Sequence, residues 1–378
     1  LYVYDLTLDP YDQSALYLST STGVFRCPGN PYPNGSSTCS LLTQSGRFIY
    51  DLTLDPRNVN ASGDISRIFI AMLNYGIFRS TNAGVSFDPS FSGIKANVVV
   101  SILNNPTDPS ILYISSFGRG IYKSVDAGST WTRLSNGIAT REINQLSFRP
   151  GNPQVIYAAT TSSGIYISTD SGGSWQTSSA GLSLSPILAE ERDSTQQINP
   201  FDHPTAYAWM DPVDLESMRA PFEDANASRD VRSYPNILTF SINPADPSRM
   251  VAGTDGSGML KSNDFGASWQ ATNMGTGTVY DTMVDPTQAT YSYFAGLLND
   301  SVRKSDATRN TWSLWNIGMP SGTDVYNLAK SPAGGFFAAT DRGIYKSVNV
   351  DTAWSLVGYG GVPFTDVFFD PDQPNIIW

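Results

Sequence analysis

The sequence is short of several things, and each shortage closes a class of function. Of its 378 residues only 15% are charged, and 23 Lys and Arg face 34 Asp and Glu, a formal charge of −11. A nucleic acid or an anionic membrane surface asks for a basic patch that displaces counterions, so neither is an expected partner. Small cations, sugars and proteins remain. There is one histidine, His203, which alone builds neither a zinc site nor a Ser/His/Asp triad and which sits in an Asp-His-Pro turn. No run approaches the ~20 apolar residues of a membrane helix, and no helical periodicity competes with short apolar runs between turns. A Gly-rich phosphate loop, a Cys/His metal cluster and a basic aromatic stripe are all missing, so no metal centre or cofactor is expected beyond a structural cation.

Cysteine is scarce too. Cys27 and Cys39 are the two in the chain, and the Pro/Gly/Asn-rich stretch between them can close as a local disulfide. With sequons at Asn34, Asn60, Asn226 and Asn299, this points to an oxidised, exported protein, extracellular or at the cell surface. Two free cytosolic thiols are the alternative. The chain opens on Leu1 without Met and stops at Trp378 inside a repeat, which reads as a piece of a longer polypeptide.

What is plentiful is Gly (32), Pro (24) and aromatic residues (12%), a composition for short strands and tight turns. It is organised by a motif of Ser, Asp, Gly and Trp at offsets 0, 2, 4 and 7. Full copies are Ser124, Asp126, Gly128, Trp131; Ser168, Asp170, Gly172, Trp175; and Ser262, Asp264, Gly266, Trp269. Worn copies are Ser80, Asn82, Gly84, Phe87; Ser305 with Trp312; and Ser347, Asn349, Asp351, Trp354. Ser and Asp side chains bond nearby backbone amides, Gly accepts a positive φ, and the aromatic lids the turn. The motif is therefore a self-fastened hairpin and reads as architecture.

Around each copy run an apolar strand ending in a Pro/Asp turn, a second apolar strand, a Gly-containing link, a third strand, and the motif leading to a fourth. Four short strands per unit is a propeller blade. The closing aromatics at 87, 131, 175, 269, 312 and 354 are spaced 44, 44, 94, 43 and 42 apart, and 94 is about twice the period. Residues 183–236 are thus expected to hold a degenerate blade, with Gln197 to Trp209 matching the turn and strand that begin at Ser241. That gives eight units over 1–361, and 362–378 supplies the first two strands of a further blade or the start of a following domain. A seven-bladed ring followed by another domain and a larger, ten-bladed ring also fit.

The motif resembles the Asp-box of sialidases, sortilin-type receptors, two-propeller xyloglucanases and plant photosystem assembly propellers, and the resemblance covers nearly the whole chain. It implies an all-β propeller with the boxes on one face. It leaves activity open.

On the opposite face the inner strands begin with Tyr4-Asp5, Tyr50-Asp51 and Tyr280-Asp281, with Tyr326-Asn327 and Thr365-Asp366 as variants. Ring closure points these towards one mouth. There they either bind a cation or sugar hydroxyls, Tyr offering a stacking surface, or tie down the start of each strand. The same-face loops add Asn74, Tyr75, Arg119, Asp211, Asp214, Glu216, Asp255, Asn299, Asp300, Asp341 and Arg342. Asp255 and Asp341 sit where the resemblance to xyloglucanases places a catalytic carboxylate, and glycoside hydrolysis uses a carboxylate pair. The first unit's loop, Ser-Thr-Ser-Thr-Gly at 19–23, has no acid, however, and the second propeller of those enzymes is absent. Phe25-Arg26-Cys27-Pro28 is close to a sialidase signature, yet it aligns with the third-strand ending Phe78-Arg79. The reading is a binding or assembly module for a carbohydrate or a protein, with a glycoside hydrolase half-domain as the alternative.

Overall fold

The computed structural model describes the chain apart from residues 1–2, 10–14, 29–38, 44–45, 61–64, 73–74, 95–98, 117, 139, 141, 162, 183–233, 289–291, 332–333, 359, 362, 365 and 368–378. Seven antiparallel sheets follow one another, each of four strands in sequence order. The inner strands are β1 (Val3–Leu8), β5 (Ile49–Leu54), β9 (Val99–Asn104), β13 (Ile143–Arg149), β17 (Ile237–Ile242), β21 (Val279–Val284) and β25 (Val325–Lys330). Behind them lie β2 (Ala15–Thr20), β6 (Ile68–Met72), β10 (Leu112–Ser116), β14 (Asn152–Thr160), β18 (Met250–Thr254), β22 (Tyr293–Leu297) and β26 (Phe336–Thr340). The third strands are β3 (Gly23–Pro28), β7 (Gly76–Ser80), β11 (Gly120–Ser124), β15 (Ile165–Ser168), β19 (Met259–Ser262), β23 (Ser301–Ser305) and β27 (Gly343–Ser347). The outer strands are β4 (Ser40–Thr43), β8 (Asp88–Pro89), β12 (Thr132–Leu134), β16 (Gln176–Thr177), β20 (Gln270–Ala271), β24 (Trp312–Leu314) and β28 (Ser355–Gly358).

Each blade is apolar where neighbours cover both faces. β6, β10, β18, β22 and β26 are buried at every residue, so they open on apolar runs, closed in three of them by Ser or Thr, and show no alternation. In four blades the turn leaving the inner strand is an Asx turn. Asp55, Asn105, Asn243 and Asp285 accept the amide two residues on, at 3.0, 2.9, 2.9 and 3.1 Å.

Neighbouring blades meet through a socket and a knob. The first inner-strand residue is β-branched and enters against a small residue of the preceding second strand. A Cβ added to Gly253 would lie 2.6 Å from Val279, and one added to Gly296 2.8 Å from Val325. Ala71 with Val99 and Ala159 with Ile237 share cores in the same way.

The described residues hold seven blades, not the eight that the 94-residue interval implied. The fourth and fifth sheets pack directly on each other, since Val155, Tyr157 and Ala159 share a core with Ile237, Phe240 and Trp269. The expected degenerate blade, with Asp211, Asp214, Glu216 and His203, lies outside the described residues, as do the sequon residues Asn34 and Asn226.

Candidate binding face opposite the boxes

The boxes join the third strand of each blade to the fourth, and their polar atoms are engaged. Ser124 Oγ donates to Asp126 Oδ1 at 2.8 Å and accepts the Gly128 amide at 2.8 Å. Asp126 accepts the Thr130 amide at 2.8 Å and its hydroxyl at 2.6 Å. The Ser168/Asp170/Gly172 and Ser262/Asp264/Gly266 copies repeat this geometry. The Ser174 hydroxyl and amide, with the Ser168 hydroxyl, hold the Asp170 carboxyl at about 2.

The boxes also fasten blade to blade, which the sequence reading did not anticipate. The Trp131, Trp175, Trp269 and Trp354 amides donate to the preceding blade at Ser92, Asn136, Ala180 and Ile317, at 2.7–2.9 Å. The next residue is a positive-φ glycine in each case, Gly93, Gly137, Gly181 and Gly318. The signal was legible: a glycine stands six residues after every box aromatic, at 93, 137, 181, 275, 318 and 360.

On the other face lie the starts of the inner strands and the turns between second and third strands. All seven inner strands skip their second residue in pairing with the second strand. This is a β-bulge, which re-aims a side chain. The skipped residues are Tyr4, Tyr50, Val100, Asn144, Leu238, Tyr280 and Tyr326, so the Tyr-Asp pairs are a bulge residue and its successor. The side chains of Tyr4, Asp5 and Tyr50 lie outside the described residues. Tyr280 and Tyr326 come together from adjacent blades with ring centroids 5.6 Å apart. Asn144 donates to Asn236 Oδ1 and to the Ile237 carbonyl at 3.0 and 2.8 Å.

The residue after the bulge reaches into the next blade. Asp51 accepts the Ile102 amide at 2.6 Å, Gln145 that of Phe240 at 2.8 Å, and Asp281 that of Leu328 at 2.8 Å. These amides belong to the axis-facing edge strand of each sheet, where an uncovered edge is a liability.

Around the mouth stand the turn residues. Tyr75 is 48% exposed, and the Arg47 guanidinium lies over its ring at 4.1 Å. Arg119 has its carbonyl bonded by Arg133 at 3.0 Å. Asp255 accepts the Thr278 hydroxyl at 2.9 Å. Asp300 pairs with Arg303 at 2.6 Å, and Asp341 with Arg342 at 3.2 Å. Asp324, which the sequence reading passed over, binds these turns together. It accepts the Asn299 amide at 2.8 Å and, at 3.4 Å, the Tyr326 hydroxyl, and its own amide donates to Asp341 at 2.9 Å. Burial, then the nearby Asp324 and Asp341 carboxylates, push the Tyr326 phenol up.

Asp255 and Asp341 belong to the fifth and seventh blades, with the sixth between them. The sequon residue Asn299 is exposed on this face, in a positive-φ turn, and Asn60 is exposed in the loop after β5. Cys27 and Cys39 form the disulfide. Among the described residues no group of three or more His, Cys, Asp or Glu converges as a metal site would, and no helix is long and apolar enough to cross a membrane.

Comparisons with known proteins bear on this fold. A family model described as sortilin, neurotensin receptor 3, matches residues 75–199, about a third of the 378. Among solved structures, an ancestral GH74 enzyme is similar at 15% identity and TM-score 0.55, over 96% of this chain and 48% of that one. YCF48 bound to D1 peptide is similar at 13% and 0.52, over 86% of this chain and 88% of that one. The C-terminal WD40 domain of Sif2 is similar at 9% and 0.54, over 99% and 92%. This chain spans about half the length of the GH74 structures it matches, 52% for the enzyme from Niastella koreensis. No curated protein matches it. At such identities the likeness shows the fold alone. The class is nonetheless defined: the chain is an all-β propeller of box repeats with seven described blades, similar over residues 75–199 to the sortilin family model and in fold to an ancestral GH74 enzyme.

Proposed function

We propose that this chain is an exported binding or assembly module that takes a protein partner, or a carbohydrate, on the mouth face. One observation carries the reading: the repeated motif is spent on joining blades, and the variable polar groups gather on the opposite side. There Tyr280 and Tyr326 meet beside Asp324, Asp341 and Arg342, all from two adjacent blades. Paired aromatics framed by charges of both signs suit recognition of a mixed polar surface. The neighbour YCF48, solved with a peptide, supports a protein partner. Export is supported by the Cys27–Cys39 disulfide and the exposed sequon asparagines.

The test is a screen of the immobilised protein against peptide and glycan arrays, followed by variants on both faces. Tyr326→Ala, Arg342→Glu and Tyr75→Ala are expected to weaken the ligand found at least tenfold. Val125→Asp, in a box hairpin and 63% exposed, is expected to leave it unchanged. Loss with Val125→Asp alone overturns the reading, as does turnover of a glucan oligosaccharide that Asp255→Ala abolishes.

A further inference from the structure

The seventh blade has a flank that repeats a donor surface used elsewhere in the molecule. Three contacts recur where one blade meets the next. First, the cation near the end of the third strand donates to the carbonyl of the fourth residue in the next box. Arg79 does so to Ala127 at 2.8 Å, Lys123 to Ser171 at 3.0 Å and Lys261 to Thr308 at 3.4 Å, and Lys304 reaches Val350 likewise. Second, an aromatic residue of the second strand lies under that hairpin. Tyr113 donates to the Ser171 carbonyl and Tyr157 to that of Phe265, both at 2.9 Å. Third, the residue after the bulge accepts an amide of the next inner strand, as Asp51, Gln145 and Asp281 do.

On the seventh blade these positions are Lys346, Phe337 and Asn327. The Asn327 position is filled: the Val367 amide approaches its Oδ1 at 3.4 Å. Beside it the Phe364 amide donates to the Thr340 carbonyl at 2.9 Å. Val367 is buried in a cluster with Phe337, Ala339 and Ile344, and Phe364 packs on it. Lys346, by contrast, is exposed and lies over the Phe337 ring at 5.2 Å. Consecutive inner strands pack on each other from β1 through β25, but among the described residues β25 has no such packing on β1.

We infer that this flank is the seat of a further blade of the same repeat. Its inner strand begins at Phe364, and Lys346 is the donor that the box hairpin of such a blade would meet, a motif that the sequence of residues 364–378 does not contain. The occupant is this chain running on from Val367. Phe364-Thr-Asp-Val stands to the seventh blade as Val325-Tyr-Asn-Leu stands to the sixth, and Asp366 Oδ1 accepts the Val367 amide at 2.8 Å as Asp51 accepts that of Leu52 at 2.9 Å.

Hydrogen exchange on the 378-residue chain tests this, with amine acylation as a second readout. Amides of residues 364–378 are expected to exchange at least about tenfold more slowly than a random coil. Val367→Asp is expected to erase that protection and leave the β9–β16 ladders unchanged, with β26–β27 protection as the check that the seventh blade stays folded. An acylating ester is expected to modify Lys346 at least tenfold faster than Lys123. Random-coil exchange of 364–378 in the unmodified chain overturns the inference. So does protection that varies with protein concentration, which would put a second copy on the seat, or a Lys346 that reacts as slowly as Lys123.

Discussion

The Asp281 carboxylate of the sixth blade accepts the Leu328 amide of the seventh at 2.8 Å. Although part of the residue stays accessible, protein surrounds the carboxyl densely. Burial pushes it up to about 7, against the Leu328 and Thr282 amides, with Asp366 adding to the rise. The folded state therefore holds this proton better than the unfolded chain, whose Asp titrates near ~3.9. The linked stability is present below that value and is lost as pH rises through about 7. Asn keeps one acceptor oxygen, and Asn327 fills the same position in the next blade. Asp281→Asn is expected to gain on the parent by a few kcal/mol between pH 5 and pH 8, as read from denaturant midpoints. Any cost of turning an amide towards Thr282 is independent of pH, so an equal change at both pH values removes this account.

Asp170 has the opposite sign. Hydrogen bonds from Ser174 and Ser168 hold it at about 2, well below the usual carboxylate range. Its contribution is complete above pH ~4 and disappears as pH falls through about 2. Because the group is exposed, solvent screens it, and the effect is expected to stay under about 1 kcal/mol. Asp170→Asn should flatten acid unfolding between pH 4 and 2 with the fold intact, since Asn82 makes the same bonds in the second blade, to Ser80 and to the Ser86 amide, both at 2.9 Å. An unchanged acid transition would mean that the box bonds do not persist in solution.

Two glycines separate backbone strain from close approach. Gly137 has φ +82°, and a Cβ there would lie 2.0 Å from the Trp175 carbonyl oxygen of the next blade. Gly151 has φ +75° with nothing within 4 Å. Gly151→Ala is expected to cost about 1 kcal/mol, the left-handed penalty alone. Gly137→Ala must also push two blades apart, and about 3 kcal/mol or more is expected, with faster exchange of the Trp175 amide. Equal losses at the two positions would show that the blade contact is loose.

Much of this architecture was legible because its causes are local. Ser124, Asp126 and Gly128 announce a hairpin whose bonds all close within seven residues, and the Asx turns at Asp55 and Asn243 follow from adjacent residues. The blade count was not legible across 175–269, because spacing alone does not say which sheets pack on each other. That depends on whether Ala159 meets Ile237, a contact 78 residues apart. The mouth was half legible. Tyr280 and Asp281 were marked by repetition, but which atom an Asp51 or Asp281 oxygen bonds depends on the twist between sheets. Asp324 belongs to no repeat, so its role emerged only when two turns met over it.

Arg309 offers the sharpest test of how blades are held together. It occupies the glycine position of the worn sixth-blade box, at φ +57°, and is 2% exposed. Its guanidinium donates to the Ser262 carbonyl at 2.7 Å and the Met250 carbonyl at 3.3 Å, also reaches Asn263 Oδ1, and lies over the Tyr293 ring at 5.2 Å. A worn motif has thus exchanged a flexible residue for a planar fork that grips the fifth blade. Arg309→Met keeps the bulk and leaves the buried acceptors unmet, so about 3 kcal/mol should be lost. Arg309→Lys retains the charge without the fork and is expected to fall between Met and the parent. Arg309→Gly restores the motif and relieves the positive φ but empties the site, and it should be no more stable than the Met variant. If Gly proves as stable as Arg, the fastening belongs to the hairpin backbone, and the guanidinium merely fills a space.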